Sequence, residues 1–309
     1  MPFDPFLAEK LHLLEGITWK DAESDPEAAA RIARYFQDPA EWTMPEVTIE
    51  ELNVDGPHGP IPVRTYRPRQ TPAAALLWVH GGGFWAGDLD MPEAHTVSAE
   101  LAARAGAFVA SVGYRLAVNG VRYPVPLDDV GAAWRWLAGA GVADRLVLGG
   151  ASAGAALALA AALRNRDRGS DHRVAGLLLA YPFAHFPNPA LDAESAAEMA
   201  ALPATLRFPV ASIEAMVRNY VGRISDLPPD ALPGAARLDG LPPTRILLSE
   251  YDDLRPSGEL LERQLREAGV PVGSYVAKGM PHGHLNRTPS LDGVNASLDF
   301  FAAAIRTAT

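Results

Sequence analysis

Six short, unbroken apolar runs, separated by helical patterns, restrict the fold of this chain more than any other feature. Ala74 to His80 is the first, and Ala107 to Val112 the second. Arg145–Leu148, Gly176–Tyr181, Arg245–Leu248 and Gly273–Ala277 complete the set. Runs of this length without polar alternation mark strands covered on both faces, and such strands are parallel. The segments between them read as helices. Residues 93–105 are Ala-rich and amphipathic, 127–138 carry Val130, Ala133, Trp134 and Leu137 on one stripe, and 153–164 are almost wholly apolar. Residues 257–268 and 291–306 complete the helical set. Strand–helix alternation predicts an α/β chain with a mostly parallel central sheet flanked by helices. Thr48 to Tyr66 alternates instead, with Pro-Gly punctuation, and predicts an antiparallel hairpin at the leading edge.

Two stretches fall outside the alternation. Residues 1–46 read as helical and precede the sheet. Residues 184–240 are rich in Pro and Ala, with helical pieces at 192–201 and 211–222, and separate two strands. A long insertion in a compact domain is usually functional. The chain therefore divides into an N-terminal cap segment (1–46), a first core part (47–183), a cap insertion (184–240) and a second core part (241–309). The two cap segments are expected to pack together over the C-terminal edge of the sheet.

Composition narrows the function by exclusion. A formal net charge of −10 over 309 residues argues against a nucleic-acid partner. The densest basic cluster, Arg164, Arg166 and Arg168, is interleaved with Asn165 and Asp167 and reads as a solvated helix end. With no cysteine, a disulfide, a thiolate zinc site and a Cys nucleophile are excluded. No apolar stretch of about 18 residues indicates a membrane span. The N-terminus lacks the basic and apolar regions of a signal peptide, which makes the cytoplasm the expected compartment.

The strongest chemical signal is Gly150-Ala151-Ser152-Ala153-Gly154. It follows an apolar strand and opens an apolar helix, the context that gives G-x-S-x-G its meaning. A sharp turn there strains the Ser backbone, and the flanking glycines relieve the crowding. Ser152 Oγ then projects from the sheet edge, with the helix N-terminus behind it. A second signal, His80-Gly81-Gly82-Gly83-Phe84, ends another strand. Glycines let backbone N–H groups approach a reacting carbonyl, which makes Gly82, Gly83 and Ala153 the candidate oxyanion donors. A phosphate loop is the rival reading, but neither G-x-G-x-x-G nor Gly-Lys-Ser/Thr is present.

A Ser hydroxyl needs a base, and the base needs an orienting acid. With the Ser on such a turn, the expected chain order is Ser, acid, His. Glu250, Asp252 and Asp253 follow one late strand; His282 and His284 follow another. Asp252 is preferred over Asp253, which can cap the next helix, and His282 over His284. His282-x-His284 is the only ligand-like pair, so no metal site is expected. No cofactor is needed either.

Together His80-Gly81-Gly82-Gly83, Gly113-Tyr114-Arg115-Leu116-Ala117, Gly150-Ala151-Ser152-Ala153-Gly154 and His282-Gly283 resemble the hormone-sensitive-lipase-like branch of the α/β-hydrolase esterases, over about residues 48–306. The resemblance implies a helical cap and hydrolysis of carboxylic esters, usually with short to medium acyl groups. Position by position it implies Ser152 as nucleophile, Asp252 as acid, His282 as base, and Gly82, Gly83 and Ala153 as oxyanion donors. The chain departs from the family pattern at Ala151, where Asp or Glu is common, and at Ala155, where Gly is. It departs again at Asp253, where Pro is common, at His284, where Phe is, and at Val118-Asn119, where Pro-Glu is usual.

Phe84, Trp85, Tyr181 and Phe183 flank these motifs and are candidates to line the substrate pocket, with core or cap packing as the plainer reading. The expected partner is a small-molecule ester, and the resemblance is compatible with a homodimer through an edge strand. Two other functions stay open: an amidase or arylformamidase using the same triad, and a non-catalytic small-molecule binder on the same scaffold.

Overall fold

The computed structural model describes residues 2–170 and 172–308. Its centre is one eight-stranded sheet: β1 (Val47–Val54), β2 (Ile61–Pro68), β3 (Ala75–Val79), β4 (Phe108–Val112), β5 (Leu146–Ala151), β6 (Gly176–Ala180), β7 (Thr244–Tyr251) and β8 (Val272–Pro281). The strands lie in the order β1-β2-β4-β3-β5-β6-β7-β8. β2 runs antiparallel to both neighbours, and all other pairs are parallel. This is the predicted architecture, with the leading hairpin formed by β1 and β2. Every residue of β3, β4, β5 and β6 is buried, which is why these strands are continuous apolar runs in the sequence.

Alternate side chains of β3 enter two separate cores. Ala75, Leu77 and Val79 pack with helices Val125–Gly139, Ala153–Asp167 and Arg255–Glu267. Leu76 and Trp78 pack with helices His95–Ala105 and Asp292–Thr307 on the other face. Helix Ala153–Asp167 is buried at each residue from Ala153 to Leu163, which accounts for the absence of a polar stripe.

The N-terminal stretch folds as helices Pro5–Glu9, Trp19–Ala22 and Pro26–Tyr35 with a 3-10 turn at Leu11–Leu14. The segment between β6 and β7 carries helices Ala193–Ala200 and Val210–Val221. The two stretches touch: Trp19 Nε1 donates to the Thr205 carbonyl at 2.9 Å, and Leu7 and Leu14 share a core with Met199 and Leu206. Among the described residues no helix is long and apolar enough to cross a membrane.

Candidate active site

Parallel strands deliver their C-terminal ends to one edge, where open α/β sheets bind their ligands. β3, β5, β7 and β8 run in the same direction, so the residues directly after them meet there. These are the loop from His80, then Ser152, Asp252 and His282.

Ser152 turns the chain from β5 into helix Ala153–Asp167 with φ 53° and ψ −118°, a conformation that strains a residue with a Cβ. Its N–H is held by the Ala180 carbonyl at 2.9 Å. The flanking glycines are required by contact. A Cβ on Gly154 would sit 2.2 Å from the Val79 carbonyl oxygen and 2.3 Å from that of His80. A Cβ on Gly150 would sit 2.5 Å from the Gly154 oxygen.

His282 Nε2 lies 3.0 Å from Ser152 Oγ, and Nδ1 lies 2.7 Å from Asp252 Oδ2. The Asp252 side chain is wholly buried and that of His282 is 8% exposed, so the pair interacts with little screening. Burial opposes charge on the imidazole. The Asp252 carboxylate more than offsets it and raises the His282 pKa above its ordinary value. Asp252 Oδ1 accepts the Leu254 N–H at 2.7 Å, which fixes the carboxylate plane.

The rival residues have other occupations. His284 is buried between Ser249 and Ser297, each hydroxyl 2.9 Å from a ring nitrogen, and burial pushes its pKa down to about 3. Glu250 binds Lys278 Nζ and the Gly279 N–H. Asp253 does not cap the following helix, Arg255–Glu267, whose start has no side-chain cap. Asp253 instead receives Arg207 through two nitrogens, at 2.9 and 3.1 Å, and the Phe208 N–H at 2.7 Å.

Among the described residues, the N–H groups of Gly82, Gly83 and Ala153 have no acceptor within the protein. The glycine loop carrying two of them is held from beneath. The Tyr114 hydroxyl donates to the His80 and Gly81 carbonyls at 3.0 and 3.1 Å, and the His80 ring stacks on Tyr114 at 4.5 Å. Burial lowers the His80 pKa to about 4, so this ring is neutral at pH 7 and contributes no charge to the site. Tyr114 belongs to the Gly113–Ala117 motif, which gives that motif its structural purpose.

The four aromatic residues expected around the pocket differ. Phe84, Tyr181 and Phe183 are buried, while Trp85 is 44% exposed. Phe84 stacks on Tyr220 with centroids 3.9 Å apart, and Tyr181 sets its ring edge-on to His282 at 4.9 Å. These are packing contacts. Phe84 and Phe183 offer no surface to a ligand in this arrangement, because core neighbours enclose both.

Three residues beside the site carry no motif. Phe208 sets its ring 4.8 Å from that of His282. Met216 is packed so closely on Gly83 that a Cβ there would lie 2.9 Å from its sulfur. Glu93 accepts the Gly81 N–H at 2.7 Å. Each sits in a segment whose path over the sheet is set by tertiary packing, so no local pattern signals it.

The family profile described as alpha/beta hydrolase fold matches residues 76–286, the span that contains every motif just described. The chain belongs to the hormone-sensitive-lipase-like α/β-hydrolases. Two relatives of this α/β-hydrolase come from Mycobacterium tuberculosis. Esterase LipI is 36% identical, over 91% of this chain and 88% of its own. Carboxylesterase NlhH is 35% identical, over 87% of this chain and 85% of its own. Among solved structures, an esterase of Pyrobaculum calidifontis superimposes with a TM-score of 0.80 at 30% identity, over 99% of both chains.

Proposed function

We propose that this carboxylic ester hydrolase works through an acyl-enzyme on Ser152, with His282 as its base and Asp252 as the acid that orients the base. The observation that carries the reading is the unbroken relay from Ser152 Oγ through the imidazole to Asp252, at 3.0 and 2.7 Å. His282 Nε2 takes the hydroxyl proton as Oγ attacks the ester carbonyl carbon. The carbonyl oxygen becomes an oxyanion and accepts from the Gly82, Gly83 and Ala153 N–H groups. The intermediate collapses by breaking the bond to the alkoxy oxygen, which leaves as alcohol with the proton from Nε2. Water then attacks the acyl-enzyme, giving its proton to His282. The second intermediate expels Ser152 Oγ, which recovers that proton, and the carboxylic acid departs. Asp252 holds the imidazole in place and stabilises the imidazolium.

Residues 1–46 and 184–240 act together as a cap on this edge. Phe208 against His282 and Met216 against Gly83 bring the insertion onto the catalytic loops. Crowding by these side chains supports a preference for short to medium acyl groups, with the exposed Trp85 at the entrance. Among the described residues β8 pairs with no strand other than β7. The Asp4 N–H covers one end of its outer edge at the Gly279 carbonyl, and the rest of that edge supports a homodimer, which sedimentation at micromolar concentration tests.

The test of the triad is Ser152→Ala assayed on a chromogenic short-chain ester. We expect kcat to fall by about 10⁴-fold or more, with loss of labelling by a fluorophosphonate. Turnover at the wild-type rate would end this reading.

A further inference from the structure

Glu93 sits just before helix His95–Ala105 and is 2% exposed. A carboxylate so enclosed needs several hydrogen-bond partners. Oε2 accepts the Gly81 N–H at 2.7 Å. Oε1 accepts the Tyr181 hydroxyl at 2.5 Å and Asn286 Nδ2 at 3.3 Å. The Glu93 main chain joins in as well: its N–H donates to Asn286 Oδ1 at 3.3 Å, and its carbonyl accepts Trp78 Nε1 at 2.8 Å.

The three side-chain partners belong to three different walls of the site. Gly81 opens the glycine loop. Tyr181 follows β6 and sets its ring against His282. Asn286 lies just beyond His282 and also donates to the Gly283 carbonyl at 3.2 Å. Among the described residues, no other acidic side chain hydrogen-bonds residues 80–83, and Ala151 beside Ser152 offers no polar group.

A loop with three successive glycines has little intrinsic preference for one shape, yet oxyanion donors help only when their position is fixed beforehand. Tyr114 holds the carbonyl side of this loop, and Glu93 holds the Gly81 N–H. Gly81 N–H and Asn286 Nδ2 can only donate, and a carboxylate receiving such donors is favoured in its ionised form.

We propose that Glu93 is a positioning residue whose ionised carboxylate fixes the glycine loop relative to His282, so that amides and imidazole keep their spacing as charge develops. This rests on the assignment of Ser152, His282 and the oxyanion donors made above. The negative charge also favours the imidazolium that forms when His282 takes the Ser152 proton. The charged and titratable groups facing His282 are Asp252, Glu93, Asp253, His284 and Tyr181; those facing Glu93 are Tyr181, Tyr114 and His282. Burial works against the Glu93 charge and raises its pKa, while the hydrogen bonds and His282 work in favour of the charge.

The experiment compares Glu93→Gln and Glu93→Asp on a chromogenic short-chain ester, with a melting curve for each variant and Ser152→Ala alongside. For Glu93→Gln we expect kcat to fall about 10- to 100-fold, with KM changed by less than about threefold. The acid limb of kcat/KM should move to lower pH, because His282 has lost a neighbouring negative charge. Wild-type kcat, or a lower kcat with the acid limb unmoved, would overturn the proposal, the latter because it marks a purely structural role. Should the Gln variant not fold, Glu93→Asp decides. It keeps the charge but retracts from Gly81, so kcat should fall with the acid limb in place, and wild-type kcat would reject the role. Ser152→Ala separates the two readings. If it stays active, the nucleophile assignment fails; if it is inactive while the Glu93 variants match wild type, only the present proposal fails.

Discussion

The nucleophile turn leaves no room for a methyl group on its glycines, because the atoms a Cβ would strike are backbone. Val79 and His80 carbonyl oxygens stand 2.2 and 2.3 Å from a Cβ built on Gly154, and β3 cannot retreat without breaking its ladders to β4 and β5. Gly154→Ala should therefore cost about 1–3 kcal/mol or more. It should also cut kcat more steeply than stability, since β3 and the glycine loop would shift away from Ser152. A melting curve and kcat measured on the same preparation check both expectations. A second residue-scale prediction concerns pH. His282 must be neutral to accept the Ser152 proton, and its pKa is raised above the ordinary 6.5 by Asp252. Activity should thus fall on the acid side, with the midpoint of the kcat/KM profile above 6.5. A midpoint below that value would mean that the carboxylate does not reach the imidazole in solution.

At the scale of elements, the join between the insertion and the core is concentrated at Asp253. Its two oxygens receive Arg207 and the Phe208 N–H, and the next side chain along, Phe208, lies against His282. Asp253→Asn should loosen the segment and let Phe208 leave the imidazole. Longer acyl groups would then be accepted better relative to short ones. Combined with Arg207→Gln, the losses in stability should be non-additive by about 0.5–3 kcal/mol, and a double-mutant cycle with an acyl-length series checks this. Additive losses with an unchanged acyl profile would show the pair to be incidental. The same region shows which parts of the molecule could be read from the chain. Strands β3 to β6 were legible because burial on both faces removes polar alternation, and Ser152, Asp252 and His282 were legible because each directly follows a strand. The chain alone suggests that Asp253 can cap the next helix, but that helix has no side-chain cap, because Asp253 is drawn to Arg207 and the Phe208 N–H of the insertion. Phe208, Met216 and Glu93 were invisible for a related reason. Their contacts depend on how the insertion and the loop after β3 lie over the sheet edge, and local spacing says nothing about that.

The whole molecule carries a further consequence of burying imidazoles. His80 and His284 are held neutral by burial, with pKa values lowered to about 4 and about 3 from an ordinary 6.5, and His95 and His185 are lowered in the same direction. In the unfolded chain these groups take up protons as the pH falls through about 6.5, while in the folded protein they stay neutral until the pH nears 4 and 3. The unfolded state therefore binds more protons across that window, so stability declines as the pH drops below about 6.5 and goes on declining until the folded imidazoles titrate. Each unit of depression corresponds to about 1.4 kcal/mol, which puts the loss on the order of several kcal/mol by pH 4. His282 and Glu93, with their raised pKa values, act in the opposite direction, against four lowered imidazoles. Urea denaturation at pH 7.5, 6 and 5 should give midpoints that fall steadily, with the slope of the transition unchanged. His284→Asn, which keeps a polar side chain between Ser249 and Ser297 without an ionisable ring, should flatten that fall even if it lowers stability at pH 7.5. A midpoint as steep in pH as that of the wild type would show that the buried imidazoles do not set the acid sensitivity of this fold.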